Sequence, residues 1–513
     1  MELNEDIHWL IQYKKETLLS TAEGIIKEFK SSNNDKLKAF QQIYVIASIL
    51  GDQLGFEHFD TIFQLLYRHM VHYKDEKPFI IAIEQVVDSL AQLPLNVTIY
   101  RIKDCALNEN SKDALISLFY ILHFLVKMTE NRPVILDHDT VLTQIITMLN
   151  SMEKNLLDNK HLANQAYKLI RALSNLLIEQ RCKSFDANLI PKLFEITVSV
   201  YNSTDDTDLD QTLSNYAQYF NLSTEEFIFN CVGNLLEGIY TSKNYETWDT
   251  NSLERIKFNS IVSQSSFISL KFLDLILIVL SQNVRLDNEV EMRFEALDLL
   301  NTLIHRDKES QMLQKYSDIL LKQIIKEALV WKMGKPNIKI RKAGSYCFID
   351  LLKYNLISKE SLLKTYDELL PILKSCLSDD WAPDLRYSTV ICFNLIFDFL
   401  SDDLEKSQFE ETYAVILERL DDAQDDIRIK AAEALEAMFN CRNFELSKTL
   451  CDYMIKTLFV HFDDSNEELQ AVVLKALLAF ATFNKKMVLD YAKTSLPKFR
   501  YPDNCENLIA SLD

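Results

Sequence analysis

LLPILKSCLSDDWAPDLRYSTV from Leu369, TYAVILERLDDAQDDIRIKAAEAL from Thr412 and YMIKTLFVHFDDSNEELQAVVLKAL from Tyr453 are three copies of one pattern. Each contains an acidic pair: Asp379–Asp380, Asp421–Asp422 and Asp463–Asp464. An apolar–polar pair follows each time, Leu385–Arg386, Ile427–Arg428 and Leu469–Gln470. Asp380, Asp422 and Asp464 are 42 residues apart, and so are Arg386, Arg428 and Gln470. A fixed interval kept at two landmarks marks an internal repeat.

Each copy reads as helix, tight turn, helix. Leu369, Ile372, Leu373, Cys376 and Leu377 fall at helical spacing, as do Tyr413, Ile416, Leu417 and Leu420. The acidic pair ends the first helix, and its carboxylates are suited to accept the free N–H groups that open the second. Pro383 stands where a first helical residue needs no N–H. The second helix is rich in small residues, Ala431, Ala432, Ala434 and Ala437 in the middle copy. One such pair cannot bury its apolar faces alone, and stacking on the next pair does. The predicted fold is therefore all-α, an α-solenoid of HEAT-type helix pairs, expected to wind as a right-handed superhelix.

Going outward, Met292–Arg293 and Ile340–Arg341 occupy the same apolar–Arg position, at intervals of 48 and 45 residues. The extra residues are expected in inter-repeat loops. Before that the register drifts. Helices are expected in the runs from Leu37, Phe59 and Pro78, then at Asp113–Met128, Thr140–Met152, Asn159–Gln180, Asn188–Val200 and Phe227–Tyr240. The polar stretch from Asn202 reads as a loop insertion, flexible or partly helical, and Thr241–Asn251 as a second polar loop holding Trp248. Phe267–Leu280 is expected to be the most buried helix of the middle region. The expected organisation is divergent repeats over 1–288 with a polar loop near 202–215, clear repeats over 289–480, and a C-terminal cap over 481–513.

The 513 residues carry a net charge of −20 and a pI near 5.0. Such a surface repels polyanions, so neither nucleic acid nor an anionic membrane is an expected partner. Seven Gly and nine Pro in the whole chain suit dense helix and leave little room for phosphate-cradling loops. The nine Cys form no C-x-x-C and read as small buried hydrophobes in a reducing compartment. The nine His are scattered; His69 and His72 share a helix face without a third ligand. The stretch MELNEDIHWLIQYKKE from Met1 has no apolar signal core and no Arg-rich amphipathic pattern, and the most apolar run is broken by Lys271 and Asp274. No catalytic, cofactor or metal site is expected, and the protein is expected to be cytoplasmic and not an enzyme.

The repeat positions Asp380, Arg386, Asp422, Arg428, Asp464 and Gln470 are the candidate structural residues. The recurring Asp pairs read as caps and solubilising groups rather than acid–base dyads. Arg341, Arg386 and Arg428 have two readings. They pair with acids across the stack as a ladder, or they meet a partner on the concave face. The ladder is preferred, at about 0–1 kcal/mol per exposed pair.

The details of the C-terminal third go further. The repeat from Thr412, the repeat from Phe459 in which Gln470 replaces Arg, and the ending KFRYPDNCENLIASL from Lys498 together resemble the HEAT-repeat dynein axonemal assembly factors. The family's closing tail is matched at Arg500, Pro502, Cys505, Glu506 and Leu508. The resemblance covers about residues 340–513. Family members are usually longer, and a shortened form lacking N-terminal repeats is one expectation. It implies a non-enzymatic cytoplasmic factor for preassembly of dynein arms, with axonemal dynein chains, intermediate or heavy, and chaperone or co-chaperone factors as partners. The alternatives are a karyopherin-like nuclear transport receptor and another HEAT-repeat regulatory scaffold.

Overall fold

In the computed structural model the described residues are 95–512, apart from 110, 131–137, 179–188, 205–207, 265–269 and 442–444. Thr17, Ser20, Thr21 and Gly24 are described as well. The helices expected from Leu37, Phe59 and Pro78, and the pair His69 and His72, lie outside them. Every regular element among the described residues is helical. The chain separates into two compact units, Met1–Leu235 and Leu236–Asp513.

In the first unit the helices are α1 (Leu95–Asn108), α2 (Lys112–Glu130), α3 (His138–Leu157), α4 (Lys160–Ile178), α5 (Leu189–Tyr201) and α6 (Leu209–Tyr219). Each packs against the helix two places along, α1 on α3 on α5 and α2 on α4 on α6, which gives two layers. α4 shows why: Leu162, Ala166, Leu169, Ile170, Leu173 and Leu177 recur at helical spacing and are buried. The polar stretch from Asn202 is helical from Leu209 onward. Its apolar residues Leu209, Leu213, Tyr216 and Ala217 lie on one face and are buried, and Asn215 bonds Ser174 and Asn175 of α4 at 3.0 and 2.9 Å. α7 (Thr224–Ser242) spans the boundary between the units.

Early in the second unit, after a 3-10 turn at Asn244–Thr247, Trp248 is buried against the Phe258 ring. Then come α8 (Leu253–Gln264), α9 (Leu273–Asn283) and α10 (Val290–Asp307). In α9, Leu273, Ile276, Leu277, Val279 and Leu280 are buried. The next helix, α11, runs as α over Ser317–Ile319, π over Leu320–Ile325 and α over Lys326–Leu329. After it the pairs are α12 (Lys335–Lys353), α13 (Lys359–Leu377), α14 (Pro383–Leu400), α15 (Lys406–Leu417, continued as a 3-10 turn to Asp421) and α16 (Asp425–Phe439). α17 (Lys448–Phe462), α18 (Glu467–Ser495) and α19 (Pro502–Leu512) close the chain.

The second helices form the tight layer, with α10, α12, α14, α16 and α18 each packed on the next. Small residues permit the approach. Ser345 and Ser388 hydroxyls meet at 2.7 Å, and the Cys392 thiol donates to the Ser345 carbonyl at 3.6 Å. Ala431, Ala432 and Ala434 are fully buried. Gly344 lies against Ala328 so closely that a Cβ on it would stand 2.7 Å from the alanine methyl. All eight described cysteines are free thiols, and all but Cys105 are buried. Burial pushes the Cys347 thiol up to about 12 and the Cys376 thiol up to about 11.

In the 48-residue interval the additional residues lie in the connection between repeats, where 308–316, which includes a 3-10 turn at Met312–Tyr316, separates α10 from α11, against 354–358 and 401–405 further on. In the 45-residue interval they lengthen α13, which has 19 residues against 15 for α17. At the C-terminus α18 bends at Asn484, whose side chain accepts from the Met487 N–H at 3.1 Å. α19 then packs back on α18 and buries Cys505 and Leu508.

Candidate functional site

The most ordered chemistry in the second unit is a row of arginines along one edge, where each first helix turns into its second. An Arg near the start of the second helix cannot reach water once the next repeat covers it. It must find its acceptors in the two turns it lies between. Arg386 does so fully. Its Nη1 donates back to the Asp379 carbonyl at 2.8 Å, while Nε and Nη2 grip both carboxylate oxygens of Asp422 in the next repeat at 2.7 and 3.0 Å. Arg428 repeats the arrangement, with Nε on the Leu420 carbonyl at 2.8 Å and Nη2 on the Asp464 carboxylate. Arg341 pairs forward with Asp379.

Upstream the row continues with altered partners. Arg293 donates back to the Val284 carbonyl at 2.9 Å and forward to the Asn337 side-chain oxygen at 3.2 Å. Arg255, which the repeat pattern did not single out, donates back to the Asp249 carbonyl at 2.9 Å and forward to Glu295. The sequence signal for it was an acidic turn six residues earlier, without the apolar–Arg dipeptide. Gln470 keeps the backward bond, to the Asp464 carbonyl. The last turn takes an arginine from the other direction instead, since Arg500 and the Tyr501 N–H both engage Asp463.

The acidic pairs do not cap the helices that follow them. The side chains of Asp379, Asp422 and Asp464 accept the N–H two residues on, from Trp381, Gln424 and Asn466, at 3.1, 3.2 and 2.9 Å. That contact braces the turn. Asn466 is the residue that caps α18, accepting from Glu468 and Leu469. In the first copy the pairing carboxylate belongs to Asp379; Asp380 is exposed and offers only its carbonyl, 3.4 Å from Arg386 Nη1.

The first two pairs are buried and the third is half-buried: side-chain exposures are 1% and 7% for Arg341 and Asp379, 9% and 3% for Arg386 and Asp422, and 16% and 21% for Arg428 and Asp464. The two buried rungs therefore resist loss of one partner by far more than the fraction of a kcal/mol that an exposed pair provides. Burial opposes the charge on Asp422, but the Arg386 hydrogen bonds, the Gln424 N–H and the Arg419 charge outweigh it and hold its pKa below the usual carboxylate range. Asp464 is depressed likewise, burial being outweighed chiefly by Arg428. The Asp422 hydrogen bond raises Arg386 further. Beside the last rung His461 is buried 3.4 Å from Asp421, and desolvation lowers its pKa despite that neighbour.

Among the described residues no group of His, Cys, Asp and Glu is placed to hold a metal ion, and no helix is long and apolar enough to cross a membrane. What the row can do is fix the register of successive repeats.

No known family profile matches the sequence. Individual proteins do match. The chain resembles dynein axonemal assembly factor 5. It is 24% identical to the Xenopus laevis protein over 278 residues, which is 53% of this chain and 33% of that protein. The Mus musculus protein is 23% identical over 331 residues, 62% of this chain and 38% of that one, and the Homo sapiens protein 24% over 289 residues. The chain thus spans about a third of the length of these assembly-factor relatives. Among solved structures, Kap121p bound to RanGTP aligns over 94% of this chain and 51% of its own, with a TM-score of 0.44 and 14% identity. A designed armadillo repeat protein aligns over 44% of this chain and 91% of its own, with a TM-score of 0.34 and 18% identity.

Proposed function

We propose that this chain is a non-enzymatic scaffold in the cytoplasmic preassembly of axonemal dynein arms. In this reading it binds dynein chains, intermediate or heavy, beside chaperone and co-chaperone factors. The observation that carries the reading is the sequence similarity to dynein axonemal assembly factor 5 from three vertebrates. Physical chemistry is consistent with it. Stacked helix pairs offer repeated contact surfaces, and several weak contacts by one binder add up to useful avidity for a partly folded client. Registered repeats keep those surfaces at fixed spacing.

Depletion in cells with motile cilia or flagella tests it. The expected result is axoneme cross-sections that lack dynein arms around normal doublets, with dynein chains aggregated or degraded in the cytoplasm. Intact arms with normal beating refute it. A pull-down with GTP-loaded Ran separates the karyopherin-like alternative, which requires capture.

A further inference from the structure

The turns beside the ladder differ in one respect that packing does not require. At the position of Trp381 the two following repeats, 42 residues on each time, carry Ala423 and Ser465. Trp381 is 90% exposed. In the neighbouring turn Met333 is 80% and Trp331 58% exposed. These turns are adjacent. Arg341, at the head of α12, pairs with Asp379, two residues before Trp381, and the Cys376 thiol donates to the carbonyl of Leu329, two residues before Trp331. Three large apolar side chains therefore stand in solvent on neighbouring turns of one edge, where water penalises them at about 25 cal/mol per Å² of apolar surface.

The charge around Trp331 and Met333 reverses that of the chain. Between Lys322 and Lys342 there are seven Lys and Arg and a single acid, Glu327, in a protein of net charge −20. Several of these cations are already engaged: Lys326 with Glu368, Lys342 with Asp384, Arg341 with Asp379, and Lys332 with the Leu286 carbonyl. Lys335 and Lys339 are exposed and make no ion pair among the described residues. The turn itself is built for display, since Gly334 holds it open at φ 110°. Exposed Trp and Met beside uncommitted Lys match one kind of occupant. We propose that this edge is a docking site for a linear acidic peptide segment bearing aromatic or aliphatic anchors. Its apolar side chains lie on Trp331, Met333 and Trp381 and its carboxylates on Lys335 and Lys339.

Size decides for a peptide against an anionic membrane. Screening confines the attraction to within about 8 Å at physiological ionic strength. A short segment lies mostly on the basic patch, with Asp380 at one end, whereas a charged lipid surface also meets the acidic remainder. Exposed Asp380, next to Trp381, sets the direction, because peptide carboxylates are repelled from that end. The inference does not depend on the assembly-factor reading.

The test is fluorescence anisotropy of a labelled peptide of alternating Asp or Glu with Leu and Phe, titrated with the full chain. A matched peptide with Lys in place of the acids serves as control. Binding of the acidic peptide is expected, weakened at least about tenfold by Trp331→Ala with Trp381→Ala and, separately, by Lys335→Glu with Lys339→Glu. Asp380→Asn is expected to tighten it. All five side chains are exposed, so these variants keep the parent melting temperature. Equal binding of the Lys peptide overturns the proposal, as does affinity untouched by either pair of substitutions. Association with phosphatidylserine vesicles in the absence of acidic-peptide binding overturns it in favour of a lipid surface.

Discussion

Asp422→Ala isolates one rung of the ladder. The substitution removes both acceptors of a bidentate pair whose side chains are 9% and 3% exposed, and leaves the Arg386 charge with the backward bond to the Asp379 carbonyl at 2.8 Å and the longer one to the Asp380 carbonyl at 3.4 Å. Breaking one side of a buried pair costs about 3–5 kcal/mol. The surviving backward bonds argue for the lower end. Loss of the turn contact to Gln424 at 3.2 Å adds about 1 kcal/mol. The single variant should therefore lose about 3–4 kcal/mol. Replacing both partners by apolar residues, Arg386→Met with Asp422→Leu, removes the orphaned charge and should recover at least about 2 kcal/mol of that loss. Urea unfolding measures both, with hydrogen exchange on α14 and α16 to localise the effect, since stacked repeats need not unfold in one step. A single-variant cost below about 1 kcal/mol, the figure for exposed pairs, refutes the buried-ladder argument. So does a double variant as unstable as the two singles combined.

Gly344→Ala forces a Cβ to within 2.7 Å of the Ala328 methyl, backed by backbone, and should cost about 1–3 kcal/mol, read as a lower thermal midpoint; an unchanged midpoint refutes the close approach of α11 to α12. His461 has a folded-state pKa lowered by burial, so the stability it contributes is present above its unfolded pKa near 6.5 and is lost as pH falls through the folded value. His461→Gln should flatten the decline in melting temperature just below pH 6.5, and an unchanged slope refutes it. Asp422 and Asp464 act lower: their stabilisation is full above about pH 4 and is lost as pH falls through their depressed folded values, so Asp422→Asn should blunt acid unfolding in that window alone.

The repeat period was legible because its landmarks are short, in line and fixed in spacing, and the Arg positions came with it. Which carboxylate each Arg takes was not. Asp379 and Asp380 differ by one step in a turn, and that step depends on the turn's path, which a linear pattern does not encode. The depth of the pairs was misjudged for a related reason. Periodicity says that Arg386 faces a neighbouring repeat, but whether the groove between repeats closes over it depends on how near α14 and α16 come, and hence on residues as remote as Ala431 and Ser345. The extra residues between Arg341 and Arg386 lengthen a first helix instead of a loop, because an added helical turn leaves the apolar spacing unbroken. Arg255 was missed because its forward partner, Glu295, lies inside a helix rather than in an acidic turn.

Among the described residues, the most enclosed ion pairs of the second unit stand on the edge of the turns within repeats. On the opposite edge the repeats are tied by an exposed ion pair, Lys359 to Asp403 at 42% and 54% exposure, and by single hydrogen bonds such as the Ser358 N–H on the Ser317 hydroxyl and Arg306 on the Val262 carbonyl, both at 2.8 Å. The two margins therefore have unequal compliance. A bending deformation that parts the loops between repeats strains an exposed ion pair and single hydrogen bonds, which water replaces at less expense than a buried charge pair. One that parts the turns must tear desolvated charges from each other. The stack is built like a bound volume, stiff along its spine and free at the fore-edge, so thermal fluctuation in this unit should fan the outer loops while the arginine edge keeps its spacing.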